Sequence, residues 1–120
     1  MAHRVLYAED EEVMRTLVSE QLKEEGFEVQ CAADGEQAVE ILEKESFDLV
    51  LLDIKMPRRD GLEVLKFLKE KKLRPRVVML TGVEDVSIAI SCVKLGAIDY
   101  ITKPFSLENL LECLRRVLAK

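Results

Sequence analysis

Five short apolar runs, each followed by a stretch with helical spacing, constrain this chain more than any other feature. The runs are Val5-Leu6-Tyr7-Ala8, Phe27-Glu28-Val29-Gln30-Cys31, Leu49-Val50-Leu51-Leu52, Val77-Val78-Met79-Leu80, and Ala97 to Thr102. After each, apolar residues recur three or four positions apart. The five stripes are Val13/Met14, Leu17/Val18 and Leu22; Ala38, Ile41 and Leu42; Leu62, Leu65 and Leu68; Val86, Ala89/Ile90 and Val93; and Leu107, Leu110/Leu111, Leu114 and Val117/Leu118. Short runs read as strands and the spaced stripes as amphipathic helices. Strict β-α alternation then predicts an α/β fold, a parallel sheet with helices on both faces. The punctuation agrees. Asp34 followed by Gln37, Asp60 by Glu63, and Ser106 by Asn109 are spaced as helix N-caps, the first two resembling capping boxes. Gly26 and Gly96 stand where C-terminal glycines belong.

Strand order follows from which runs are apolar throughout. Runs one, three and four are almost purely apolar, as strands buried on both faces must be. Run two alternates, with Glu28 and Gln30 against Phe27, Val29 and Cys31, and run five is interrupted by Asp99 and Thr102. Those two are the edges. A right-handed crossover sets strand two beside strand one. With strand two at an edge, the chain must return to the other side of strand one. The predicted sheet is five-stranded, order 2-1-3-4-5, doubly wound, with five helices. Ligands of such sheets bind outside the C-terminal strand ends, where the winding reverses.

Composition narrows the function classes. With 120 residues, 48% hydrophobic and 34% charged, the chain has a globular balance and the length of one domain, taken as residues 1–120. No apolar run approaches the roughly 20 residues of a transmembrane helix, and the acidic start at Glu9 comes too early for a signal peptide. A net charge of −5 argues against direct contact with nucleic acid, which wants a basic surface. Cys31, Cys92 and Cys113 form no CxxC pair, which argues against a disulfide scaffold or zinc site and fits a reducing cytoplasm. No linker, repeat or low-complexity tract interrupts the pattern.

The residues that follow the apolar runs carry the chemistry. Glu9 and Asp10 follow run one, Asp53 run three, Thr81 and Gly82 run four, and Lys103 and Pro104 run five. One end of one sheet therefore collects three carboxylates, a hydroxyl and a lysine. Three ionised carboxylates in one cleft repel one another, and a single lysine does not neutralise them. A divalent cation would, and oxygen donors without His or Cys favour Mg²⁺ or Mn²⁺. A carboxylate beside such an ion, faced by Lys103 and Thr81, is equipped to receive a phosphoryl group. Gly82 adds a backbone N–H with no side chain in the way.

On these motifs the whole chain resembles the receiver domain of two-component response regulators, a CheY-like, flavodoxin-like fold. The matching segments are Ala-Glu-Asp-Glu-Glu at 8–12, Asp-Ile-Lys-Met-Pro at 53–57 with Asp60-Gly61, Thr81-Gly82, and Tyr100-Ile101-Thr102-Lys103-Pro104-Phe105. The resemblance implies that Asp53 is the phosphoacceptor and Asp10 a direct ligand to Mg²⁺. It makes Glu9 the second acidic residue, acting through a metal-bound water, and the Lys55 carbonyl the third protein ligand. It gives Thr81 and Lys103 the phosphoryl group to hold, makes Tyr100 a switch residue, and implies a cis Lys103–Pro104 peptide. The implied donor is a sensor histidine kinase or a phosphotransfer protein. The implied output is a rearranged face of helix four, strand five and helix five, which takes a downstream protein, an effector domain or a second copy of the chain. Neither nucleic acid nor membrane is a direct partner.

Several residues depart from the pattern or have plainer readings. Glu9 is one methylene longer than the aspartate common in the family. Lys55 reads as solvent-facing, the alternative being contact with the phosphoryl group. Val83 either shields the site from water or begins helix four. His3 and the pair Arg58 and Arg59 read as solvated, kinase docking being the alternative for the pair, Lys69 to Lys72 as a helix C-terminus stabilised by its cations, and Tyr7 and the methionines Met14, Met56 and Met79 as packing. Three other functions compete. A binding module without phosphorylation would not need the intact set of Asp53, Thr81 and Lys103. A haloacid-dehalogenase-type phosphohydrolase needs a second Asp where Lys55 stands. A flavodoxin-like cofactor carrier needs a Ser/Thr/Gly phosphate loop where Glu9-Asp10-Glu11-Glu12 stands, and these acids would repel a phosphate.

Overall fold

The computed structural model describes residues 2–119. Its elements run β1 (Arg4–Ala8), α1 (Glu12–Glu24), β2 (Glu28–Ala32), α2 (Gly35–Lys44), β3 (Leu49–Asp53), α3 (Gly61–Glu70), β4 (Arg76–Thr81), a 3₁₀ turn (Val83–Asp85), α4 (Val86–Lys94), β5 (Asp99–Thr102) and α5 (Leu107–Leu118). The strands pair in the order β2-β1-β3-β4-β5, all parallel. This is the predicted doubly wound, flavodoxin-like sheet.

Period-two alternation splits the core in two. Leu6, Ala8, Val50, Leu52 and Met79 pack with buried residues of α2, α3 and α4, among them Leu42, Leu68 and Cys92. Val5, Tyr7, Leu49, Leu51, Val78 and Leu80 pack with Val18 and Leu22 of α1 and with Leu110, Leu114 and Val117 of α5. Every residue of β3 is buried, as a strand covered on both faces must be. β2 alternates exposed and half-buried up to Ala32, and β5 is half-buried throughout, as edge strands are.

The helix ends follow the sequence signals with two adjustments. Asp60 and Glu63 form a full capping box on α3, and Ser106 caps α5 through the Asn109 N–H. Asp34 caps α2 through the Gln37 N–H, but the Gln37 side chain accepts from the Ala33 N–H instead of closing the box on Asp34. The fifth strand begins at Asp99, two residues later than the apolar run suggests. The Ala97 N–H is drawn to the Cys92 carbonyl (3.0 Å), closing the end of α4, and only at Ile98 does the chain reach β4, through the Val77 carbonyl (2.8 Å).

Three helices end in one hydrogen-bond pattern. After α1, α3 and α4 a residue with positive φ donates three back, and the next residue donates five back. Gly26 (φ 97°) and Gly96 (φ 121°) fill two of these positions and Lys72 (φ 57°) the third.

Candidate functional site

The site lies at the C-terminal edge of the sheet, where β1, β3, β4 and β5 end. The Glu9 N–H donates to the Ala32 carbonyl (3.0 Å), so Glu9 extends the ladder inward and is 1% exposed, whereas Asp10 is turned out to solvent. The Arg15 guanidinium, from the first turn of α1, donates to the Glu9 carbonyl (2.9 Å) and reaches that of Asp10 (3.4 Å), which fixes this loop from behind. Asp53 and Thr81 are the last residues of β3 and β4, not the first beyond them, and both are buried. The Lys103 N–H donates to the Thr81 carbonyl (2.7 Å), stitching the end of β5 to β4, and the Lys103–Pro104 peptide is cis.

These placements bring the polar groups together. Lys103 Nζ donates to Glu9 Oε1 (2.9 Å) and to Asp53 Oδ2 (3.0 Å), a single ammonium bridging two buried carboxylates. Glu9 also accepts from the Tyr7 hydroxyl (3.4 Å) and the Glu11 N–H (3.3 Å). One carboxylate oxygen each from Glu9, Asp10 and Asp53 lie within 4.8 Å of one another. The Thr81 hydroxyl donates to the neighbouring Gly82 carbonyl (2.9 Å). Tyr100 is half-buried against the core formed with α2, α3 and α4. Gly61 backs the site, since a Cβ there would lie 2.5 Å from the Asp53 carbonyl oxygen.

Electrostatics set the protonation of this cluster. Burial pushes the Asp53 carboxyl up, and its neighbour Glu9 adds to the rise through hydrogen bonding and charge; Lys103 opposes but does not cancel it, leaving Asp53 at about 7. Burial also works against ionised Glu9, yet the hydrogen bonds with Lys103 and Asp53 outweigh it and hold Glu9 below the ordinary carboxylate value. Burial disfavours the Lys103 ammonium, but its bonds to Glu9 and the Asp53 charge raise it above the ordinary lysine value. Tyr7 is raised by burial and then by the charges of Glu9 and Asp53, so its hydroxyl stays a donor.

A stability consequence follows with a definite sign. A carboxyl whose folded value is raised takes up a proton on folding. Its contribution therefore falls as pH climbs from about 4, the unfolded value, to about 7, the folded one. Asp53→Asn removes that fall. Without divalent cations, the variant is expected to gain on the order of 2 kcal/mol over the native chain between pH 4 and pH 8. Urea unfolding in EDTA at the two pH values measures this, and an unchanged difference would contradict the burial of ionised Asp53.

Other predicted residues fall as follows. Lys55 is two-thirds exposed, but its Nζ reaches across to the next loop, 3.4 Å from the buried Asp85 and 3.8 Å from Glu84. Val83 is exposed and opens the 3₁₀ turn before α4. His3 is exposed, Met56 and Met79 are buried, and Met14 is half-buried. Tyr7 is wholly buried. Arg58 is not merely solvated, because it bonds the buried N-cap Asp34 at 3.0 Å. Sequence reasoning missed Arg15 and the Tyr7 hydroxyl. Arg15 had a signal in its place on the first helical turn after the acidic loop. The Lys55 contact had none, since its partners lie about thirty residues away in another loop.

Comparison with known proteins agrees with the fold. The family model for the response regulator receiver domain matches residues 5–115. The receiver domain of Francisella response regulator 1452 is 27% identical, with a TM-score of 0.91 over 98% of this chain and 97% of that one. The chemotaxis response regulator CheY4 of Vibrio cholerae is 32% identical, with a TM-score of 0.90 over 98% and 99% of the two chains. NtrX from Brucella abortus, solved in complex with ADP, is 35% identical with a TM-score of 0.91; the match covers 99% of this chain but 27% of that longer one. Among the described residues, no helix is long and apolar enough to cross a membrane.

Proposed function

The chain belongs to the response regulator receiver domain family, and from that membership we propose that residues 1–120 act as one phosphoacceptor domain, with Asp53 as the acceptor. The observation that carries this reading is the Lys103 bridge from Asp53 to Glu9 with Asp10 in reach, a carboxylate at a strand end amid the groups phosphoryl transfer needs. The donor is a histidine kinase or phosphotransfer protein in the cytoplasm. Asp53 Oδ attacks phosphorus, the P–N bond of the donor phosphohistidine breaks, and the imidazole leaves with the bonding electrons.

The donor set fits a hard divalent cation, since three carboxylate oxygens converge and the described residues place no His or Cys with them. Glu9, Asp10, Asp53 and the Lys55 carbonyl would hold Mg²⁺, or Mn²⁺ in its place. When bound, the ion supplies positive charge that keeps Asp53 ionised and offsets charge on the transferring group. The chain's own residues do the rest. Lys103 already touches Asp53 and carries its charge to the incoming phosphoryl oxygens. Thr81 turns its hydroxyl from the Gly82 carbonyl toward the same group. Tyr100 shifts further into the space that Thr81 leaves, which alters the face formed by α4, β5 and α5. That face then takes a downstream protein, an effector domain or a second copy of the chain.

Intact-mass spectrometry after incubation with acetyl phosphate tests the reading. One phosphoryl adduct is expected with Mg²⁺ and none in EDTA. Asp10→Asn removes one charged donor and is expected to raise the Mg²⁺ concentration needed for labelling roughly tenfold. Labelling that is indifferent to EDTA would overturn the metal assignment. Absence of any adduct, together with no binding of beryllofluoride, would overturn the phosphoacceptor reading.

A further inference from the structure

At the end of the sheet opposite Asp53, a hollow of about 610 Å³ opens between the C-terminal end of α3, the loop into β4, and the C-terminal end of α4. Leu65, Leu73, Leu95 and Ile98 give it an apolar floor. Lys69, Lys72, Arg74, Arg76 and Lys94 stand around it, and no Asp or Glu is among its lining residues. That concentration of cations runs against a chain whose net charge is −5. Lys69 and Lys94 have a plain role, since each sits in the last turn of its helix and complements the negative end of the dipole. Lys72 and Arg74 lie beyond the last turn of α3, where that role weakens.

Lys72 adds an independent observation. It occupies the left-handed position that Gly26 and Gly96 fill after α1 and α4, with the same hydrogen bonds around it. A side chain is disfavoured there and glycine is not. A lysine held in a strained conformation beside four other cations points to use of its ammonium group.

We propose that this hollow binds a nucleotide. Phosphates suit the lysines and Arg74, which offers a bidentate fork. The nucleoside suits the leucine and isoleucine floor. The volume falls within the range of about 300–1,000 Å³ typical of small-molecule sites. The walls are two helix ends and a short loop, which favours a compact amphipathic anion over a run of acidic peptide. The two helix C-termini oppose an anion with partial charges only, and the five cations outweigh them.

Titration of the ¹⁵N-labelled chain tests this by NMR, in EDTA so that the acidic site takes no part. ATP, GTP and a cyclic dinucleotide are the probes, with inorganic tripolyphosphate and a Glu/Leu peptide for comparison. At least one nucleotide is expected to give saturable shifts confined to residues 65–76 and 94–98, with tripolyphosphate binding about tenfold more weakly for want of the apolar contact. Lys72→Gly is the decisive variant. It relieves the left-handed strain, so the urea midpoint should rise while nucleotide affinity falls about fivefold. Arg74→Gln should weaken binding similarly in a chain of unchanged stability. No saturable shift with any nucleotide would overturn the proposal. So would equal affinity for tripolyphosphate, tighter binding of the acidic peptide, or undiminished affinity in Lys72→Gly.

Discussion

Replacing Asp53 with asparagine is expected to reduce phosphoryl uptake to background, the largest functional effect available from one substitution. The amide keeps the size of the side chain and can still meet Lys103, but it has no carboxylate oxygen to attack phosphorus. The loss will not be a folding artefact, because a neutral group in place of buried Asp53 favours the fold above pH 4 in the absence of metal. The other acids are poor substitutes. Glu9 already accepts from Tyr7, Glu11 and Lys103, and Asp10 stands out in solvent. Intact-mass spectrometry of wild type and variant side by side, with acetyl phosphate and Mg²⁺, gives the answer. A persistent adduct in the variant would move the acceptor to another residue, which peptide mapping would name.

The largest expected effect on stability comes from a residue with no chemistry. Gly35 opens α2, and a Cβ there would lie 2.0 Å from the Arg59 carbonyl oxygen and 2.6 Å from its carbon. The obstacle is main chain, so no rotamer change relieves it. The loop cannot simply retreat, because the Arg59 N–H is bonded to Pro57 (2.8 Å) and Arg58 reaches back to Asp34, the cap of the same helix. Gly35→Ala therefore has to push α2 away from the loop that follows Asp53, and overpacking of this kind costs about 3 kcal/mol. Gly26→Ala is the control. Gly26 has a positive φ but nothing within 4 Å of an added Cβ, so only backbone strain of about 1 kcal/mol is at stake. Urea denaturation of both variants should show the wide gap. Equal losses would mean that the loop yields and the contact is soft.

Gly35 also marks where the sequence stops being legible. Asp34-Gly35 and Asp60-Gly61 read locally as helix starts, and both are. What the glycines are for depends on main chain brought alongside by the fold, Arg59 in one case and Asp53 in the other. The sheet order was readable because burial on two faces leaves an all-apolar strand, and Leu49 to Leu52 and Val77 to Leu80 are such runs. The convergence of Glu9, Asp53, Thr81 and Lys103 was readable because parallel strands deliver their C-terminal residues to one edge. Bonds between loops were not. Lys55 to Asp85 and Arg58 to Asp34 join residues about thirty and 24 positions apart that follow no periodicity. The two-residue delay of β5 is similar, since an apolar run does not reveal that Ala97 will finish a helix before the strand begins.

The bridge from Lys103 to Glu9 and Asp53 has a consequence for the life of the molecule outside any signalling event. A nest of acids would ordinarily leave a newly made chain in need of a cation from solution to hold its shape. Here a counterion is built into the polypeptide, and it reaches its post when β5 joins the sheet. This end of the sheet thereby has a cation of its own. A charge supplied by the chain itself need not be found in solution before two of the acids can be brought together.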